Sequence, residues 1–301
     1  MNTLARPLPL VVMLALATVA PAFAQQAYPT PEAAGEALVA ALGTQRPDDA
    51  RLATLFGKNW RDYIPTEGVD RAEVEAFLAA YKVRHSILKD ADGRSALTVG
   101  DKSWTFPVPL AKGASGWAFD TKAGAEEIRQ RRIGRNELAT IESVRAYHDA
   151  QNDYAQLDRD GDGVLEYAQK VLSSDGHHDG LYWSDDDSGE VSPLGPLFAD
   201  ATPGSDWHGY HYRILAAQGP SAPGGAYPYA IGKDMSRGFA LVAWPAKYGD
   251  SGVMSFMISH DGEVFEKDLG PGSEKLAKAM AKFDPDSSWK EVPAGTTAAV
   301  P

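Results

Sequence analysis

Residues 137–169 read ELATIESVRAYHDAQNDYAQLDRDGDGVLEYAQ. Leu138, Ile141, Val144, Arg145, Tyr147, His148 and Tyr154 recur at roughly helical spacing. The first part of the stretch therefore predicts a long amphipathic helix over residues 137–156. Asn136 stands before it as a helix cap. At Asp158 the periodicity stops, and three aspartates alternate with arginine and glycine. A polar stretch rich in Gly and Pro follows. The pattern then shortens to that of strands: GYHYRILAAQ (209–218), GFALVAWPA (238–246), GVMSFMIS (252–259) and EVFEKDL (263–269). His260-Asp261-Gly262 reads as a tight hairpin turn between the last two. Residues 133–283 thus predict a long helix packed on a four-stranded antiparallel sheet. Residues 284–301, rich in Pro, Ser and Ala, predict a flexible tail.

The preceding half has its own logic. Residues 31–42 (PEAAGEALVAAL) carry apolar residues at helical spacing, with Thr30 as N-cap and Pro31 in the first turn. Two further helices are predicted over about 48–56 and 71–83. From His85 the period changes to short strands broken by Asp-Gly, Gly-Asp and Gly-rich turns. Pro107 and Pro109 place that part of the pattern at an edge or bulge. Residues 121–132 (TKAGAEEIRQRR) read as a charged helix leading into the second half. Helices followed by hairpins define an α+β chain, with an N-terminal domain over 25–132 and a C-terminal one over 133–283. The element order of the first half is similar to that of cone-shaped folds of the nuclear-transport-factor-2 type.

The first 24 residues are different in kind. Arg6 precedes an apolar run from Leu8 to Ala20, and Ala22-Phe23-Ala24 is a small-residue cleavage site. This is the pattern of a cleavable export signal, with Gln25 as the first mature residue. It predicts an exported protein with no stable membrane insertion after cleavage. The 301 residues include no cysteine. That excludes disulfides, a thiol nucleophile and a cysteine zinc site. A formal net charge of -12 argues against partners such as nucleic acid or an anionic membrane surface.

Several longer segments carry a resemblance. They are RRIGRNELATIESVRAYHDAQNDYAQLDRDGDGVLEYAQ, SPLGPL, GYHYRILAAQGPSAPGGAYPY, GFALVAWPAKYGDSGVMSFMISHDGEVFEKDLG and SWTFPVPL with GWAFDTKAGAEEI. Together they resemble the DUF2950 family of exported bacterial proteins. The resemblance implies export, to the periplasm or by full secretion, a two-part chain and no assigned activity, and it brings no site residues. The second half is also similar in element order to the globular part of type IV pilin-like and pseudopilin-like proteins. It departs from them because its helix lies mid-chain and lacks an apolar membrane-anchoring half.

The loop after the helix raises the sharpest chemical question. Numbered as an EF-hand loop, Asp158, Asp160 and Asp162 fill positions 1, 3 and 5, and Gly163 is the turn glycine. Val164 would offer its carbonyl, and Glu166 at position 9 a carboxylate. Position 12 departs from the motif, since Gln169 replaces the bidentate glutamate. Hard oxygen ligands of this kind suit calcium. The competing reading is a polar turn whose aspartates accept backbone N–H groups.

A second polar set is DGHHDG (175–180) with DWHGYHY (206–212). His177, His178, Asp179, His208 and His211, with the Asp185-Asp186-Asp187 run, could build a metal or acid–base site, or simply be solvated loop positions. Trp183, Trp207 and Trp244 could line a sugar-binding face or fill the core. Three functions stay open. The chain is a non-enzymatic binding or assembly-assisting module of the envelope, a hydrolase of cell-wall or glycan substrates, or a small-ligand module in its first domain.

Overall fold

The computed structural model describes residues 25–43, 45–64, 69–89, 93–184, 189–195 and 206–297. The segment read as an export signal, with Ala24, and Asp185 to Asp187, lie outside the described residues. The chain is α+β and divides into two compact units, the first ending at Ile128 and the second beginning at Arg129. Among the described residues no helix is long and apolar enough to cross a membrane.

The first unit opens with α1 (Pro31–Leu42), α2 (Asp49–Phe56) and α3 (Arg71–Val83). Each begins where a short polar side chain meets otherwise unpaired N–H groups. The Thr30 hydroxyl accepts from the Ala33 amide, Asp48 from Ala50 and Arg51, and Asp70 from Glu73. Strands β1 (His85–Lys89), β2 (Ser95–Val99), β3 (Trp104–Thr105), β4 (Leu110–Gly113) and β5 (Gly116–Phe119) form one antiparallel sheet ordered β1-β2-β4-β5, with β3 paired to β2. Leu38, Leu52, Leu55, Phe56, Leu97, Leu110 and Phe119 fill the space between helices and sheet. Phe56 and Phe119 meet with ring centres 5.0 Å apart. The Gln25 side-chain amide is tied into this core, donating to the carbonyls of Leu55 and Phe119.

Helix α4 (Thr121–Tyr154) is one continuous element. The sequence suggested two helices with a cap at Asn136, and the contacts explain the difference. The Asn136 amide donates sideways to the Ser251 carbonyl at 2.8 Å. The neighbouring Glu137 carboxylate accepts the amides of Val253 and Met254, both at 2.9 Å. These side chains thus satisfy a neighbouring loop instead of starting a helix. Gly124, near the start of α4, lets the helix pass close to Val108. A Cβ there would stand 2.8 Å from both Val108 methyl groups.

In the second unit, β6 (Tyr210–Leu215), β9 (Ala240–Pro245), β10 (Met254–Ser259), β11 (Val264–Asp268) and β12 (Lys290–Glu291) form an antiparallel sheet ordered β12-β11-β10-β9-β6. A small ladder, β7 (Ala217–Gln218) with β8 (Tyr227–Pro228), stands beside it. Neighbouring residues of a strand face opposite sides. On one side the Tyr212 hydroxyl reaches Thr140 of α4. On the other, Arg213 donates to the Ala277 and Met280 carbonyls at the end of α5 (Ser273–Ala279). Strand β9 is covered on both sides, and all six of its residues are buried, which explains its unbroken apolar run.

The tail corrects the sequence expectation. Trp289 and Val292 are core residues, and Glu291 pairs with Phe265. Arg145 donates to the carbonyls of Pro293 and Thr296. The sheet therefore gains a fifth strand from a segment that composition alone described as loose.

Candidate functional site

Helix α4 ends at Tyr154, and the aspartate loop follows at once. Gly161 (φ 73°) and Gly163 (φ 87°) take the left-handed backbone that side chains resist, and this turns the chain sharply. The carboxylates then fold inward. Asp158 accepts the amides of Gly161 and Gly163, both at 2.8 Å. Asp160 accepts from Asp162 at 3.3 Å and Asp162 from Val164 at 2.9 Å. Ligand atoms of Asp158, Asp160 and Asp162 lie within 4.8 Å of one another. Among the described residues no other group of three His, Cys, Asp or Glu side chains converges so closely.

Three negative charges this close repel one another, and a nearby cation relieves part of that repulsion. Lys233, more than seventy residues further along, supplies one. Its ammonium stands 2.6 Å from Asp160 and 2.9 Å from Asp162. Gln169, the residue at the twelfth position, donates its side-chain amide to the Lys233 carbonyl at 2.7 Å. The Tyr167 amide donates to the Met235 carbonyl at 2.9 Å. The loop is thereby sewn to residues 233–235. The Lys233 hydrogen bond is the chief cause holding the Asp162 carboxyl below its usual range. Glu166 is shifted the other way, first by burial and then by Asp160 and Asp234. Val164 shares this turn through its amide.

The second polar set does not converge. His177 is exposed, and its amide donates to the Ser174 carbonyl. His178 stacks on Trp183 at 4.2 Å and meets Glu190 through Nδ1 at 3.1 Å. Asp179 accepts from the Ser174 amide and hydroxyl and from Lys170. Burial opposes its ionisation, but those donors win and hold it at about 2. His208 sits in a turn with φ 51° beside Trp207, its pKa lowered by burial against the pull of Glu142. His211 is on β6, opposite Trp244 of β9. Trp183 and Trp244 are buried, so neither offers a free face to a sugar.

Two residues that sequence reasoning passed over organise this end of the unit. One is Lys233, in a loop with no periodic signal. The other is Arg159, inside the quoted motif but in none of its ligand positions. Arg159 is 10% exposed, pairs with Glu190 at 2.7 Å, and lies over the rings of Tyr154 and Trp183. It links the aspartate loop to the His178 loop. In the first unit, the depression lined by Arg46, Pro47, Asp48, Asp49 and Ala50 is formed by exposed residues, unlike an apolar ligand cavity.

Comparison with curated proteins finds no match, and comparison with solved structures finds none. The family model described as a protein of unknown function, DUF2950, matches residues 25–292, and the chain belongs to that family.

Proposed function

We propose that this is an exported envelope protein that works by binding rather than by catalysis, its aspartate loop serving as a staple for a binding surface. The observation that carries this reading is the Lys233 ammonium held between Asp160 and Asp162. The Lys233 ammonium thus meets two of the three aspartates, so part of the loop's charge is countered from within the chain. Of the residues on which a hydrolase reading depended, His178 is engaged by Trp183 and Glu190, Asp179 by Lys170, and His211 lies in the sheet.

Calcium is the second reading, favoured by the 4.8 Å convergence of the three aspartates. Melting curves in EDTA and in millimolar calcium separate the two. The staple reading expects no calcium shift in the wild type, and a shift that emerges in Lys233→Ala. A wild-type rise lost in Asp160→Ala/Asp162→Ala establishes the calcium site, because a ligand bound only to the folded state raises stability by mass action. Release of soluble fragments from peptidoglycan sacculi by the purified protein would overturn the binding reading.

A further inference from the structure

The second unit exposes six large apolar side chains among the described residues: Leu157, Val164, Leu165, Val191, Ile231 and Leu276. Five of them fall on the three segments tied together by Lys233 and Arg159. Leu157 precedes Asp158, and Val164 and Leu165 close the same loop. Ile231 is two residues from Lys233, and its amide donates to the Asp234 carbonyl. Val191 follows Glu190, which Arg159 holds. Single exposed apolar residues need no explanation, but a concentration on neighbouring loops marks a contact surface. Leu165 and Ile231 are 55% and 60% exposed.

The charge around them is one-sided. Arg159 and Glu190 cancel. Asp158, Asp160, Asp162, Glu166 and Asp234 are left against the single ammonium of Lys233. We infer that this face docks a basic amphipathic segment of a partner protein, with apolar side chains set between lysines or arginines. Asp160 and Asp162 already display the recognition chemistry, since they accept an ammonium in hydrogen-bond geometry. Lys233 is 67% exposed and can yield its place to a partner's lysine. A second copy of this chain fits poorly, because an isologous contact would set the acidic face against itself. Anionic membranes and nucleic acids are repelled for the same reason.

The inference rests on the binding reading, but the two fail separately. Turnover of sacculi sinks the reading, whereas the following titration sinks only the docking face. The probe is a fluorescent synthetic peptide with leucines at helical spacing and lysines between them, titrated by anisotropy at physiological ionic strength. The leader-free chain is the target, and its fold is checked by circular dichroism in every variant. Leu165→Ser/Ile231→Ser is expected to weaken binding about tenfold or more. Leu276→Ser, on α5 and outside the three tied segments, leaves it unchanged. Lys233→Ala tightens binding several-fold by freeing the carboxylate pair, an effect that a merely structural lysine would not give. Equal binding of a sequence-scrambled peptide, or no effect of the double variant, means charge attraction alone and overturns the docking face. So does self-association of the chain through these residues without peptide binding, or binding to anionic vesicles.

Discussion

Two acidic loops lie close together in the second unit, and they are held in different ways. Asp179 is satisfied locally. Its donors, Ser174 and Lys170, lie within nine residues. Asp160 and Asp162 instead draw on Lys233, from a remote part of the chain. The first arrangement is a turn that its own segment can form. The second is a tertiary tie that exists only after the unit has folded. A local turn costs little chain entropy to close and reports little on the fold. A remote tie closes a long loop, and its geometry depends on everything between. The aspartate loop is therefore the better sensor of how this end of the unit is assembled.

Arg159 is where the comparison is tested most severely, because it sits in the aspartate loop and pairs with Glu190, which also meets His178 beside Asp179. Arg159→Ala removes the partner of Glu190 and the cation over Tyr154 and Trp183. The guanidinium is largely buried, but Glu190 is about half exposed and recovers some hydration. The expected loss is about 2 kcal/mol, read from urea unfolding of the second unit by tryptophan fluorescence. Arg159→Lys keeps the charge without the flat stacking surface and should restore less than half of the loss. An unchanged midpoint in Arg159→Ala would mean that the loops are held independently.

Gly163→Ala strains the aspartate loop and leaves the Asp179 turn alone. A Cβ at Gly163 meets nothing within 4 Å, so the cost is purely that of the positive φ. It should be about 1 kcal/mol, with amide exchange faster at residues 161–164 and unchanged at Ser174. Faster exchange in both loops would contradict the division drawn between them.

Acid should sharpen the contrast, because Glu166 and Asp179 are shifted in opposite directions. The Asp179 pKa is depressed to about 2. Its contribution is present above the ordinary aspartate value and is lost as pH falls from there towards 2. Glu166 has a raised pKa, through burial first and then Asp160 and Asp234. Its charge opposes folding above that raised value, and mild acid relieves it. Glu166→Gln should accordingly raise the melting temperature at neutral pH, and the gain should vanish once the wild-type carboxyl is protonated. The same variant leaves the acid limb set by Asp179 in place. A gain independent of pH would show that packing, not charge, is responsible.

These contrasts also explain what could be read from the sequence. The sheet was legible because β9 and β10 are predominantly apolar over six residues each, with a tight turn marked by Asp261-Gly262 leading into β11. The α1 cap was legible because Thr30 and Pro31 act on their own neighbours. The continuity of α4 was not, because Asn136 has the chemistry of a cap and only the distant Ser251 redirects it. Nor was β12, a two-residue strand whose place depends on Trp289 and Val292 finding the core. At the candidate site, the aspartate spacing revealed the turn and its convergent carboxylates. The cation that pairs with two of them was hidden, since nothing in the local pattern around Lys233 points back to Asp160.

The smallest expected thermodynamic effect is the one that tests the remote tie most directly. Lys233 is solvent-exposed, and its pKa is raised chiefly by hydrogen bonds to Asp160 and Asp162. Exposed ion pairs are weakened by water and salt, so Lys233→Ala should lower the melting temperature only slightly, and less still at high salt. The structural consequence should exceed the energetic one. Asp158 keeps its bonds to Gly161 and Gly163, and Asp162 keeps its bond to Val164. The turn itself should persist, while the hold on residues 233–235 falls to the Gln169 and Tyr167 bonds. Amide exchange should then rise around Ile231 to Asp234 and stay slow at Gly163 and Val164. The reverse pattern, with the turn loosening and residues 231–234 unaffected, would make the ammonium a neutraliser of the aspartates rather than a tie. In that case Lys233 would serve the aspartates only as Lys170 serves Asp179, by pairing with a carboxylate, and the distinction between the two loops would disappear.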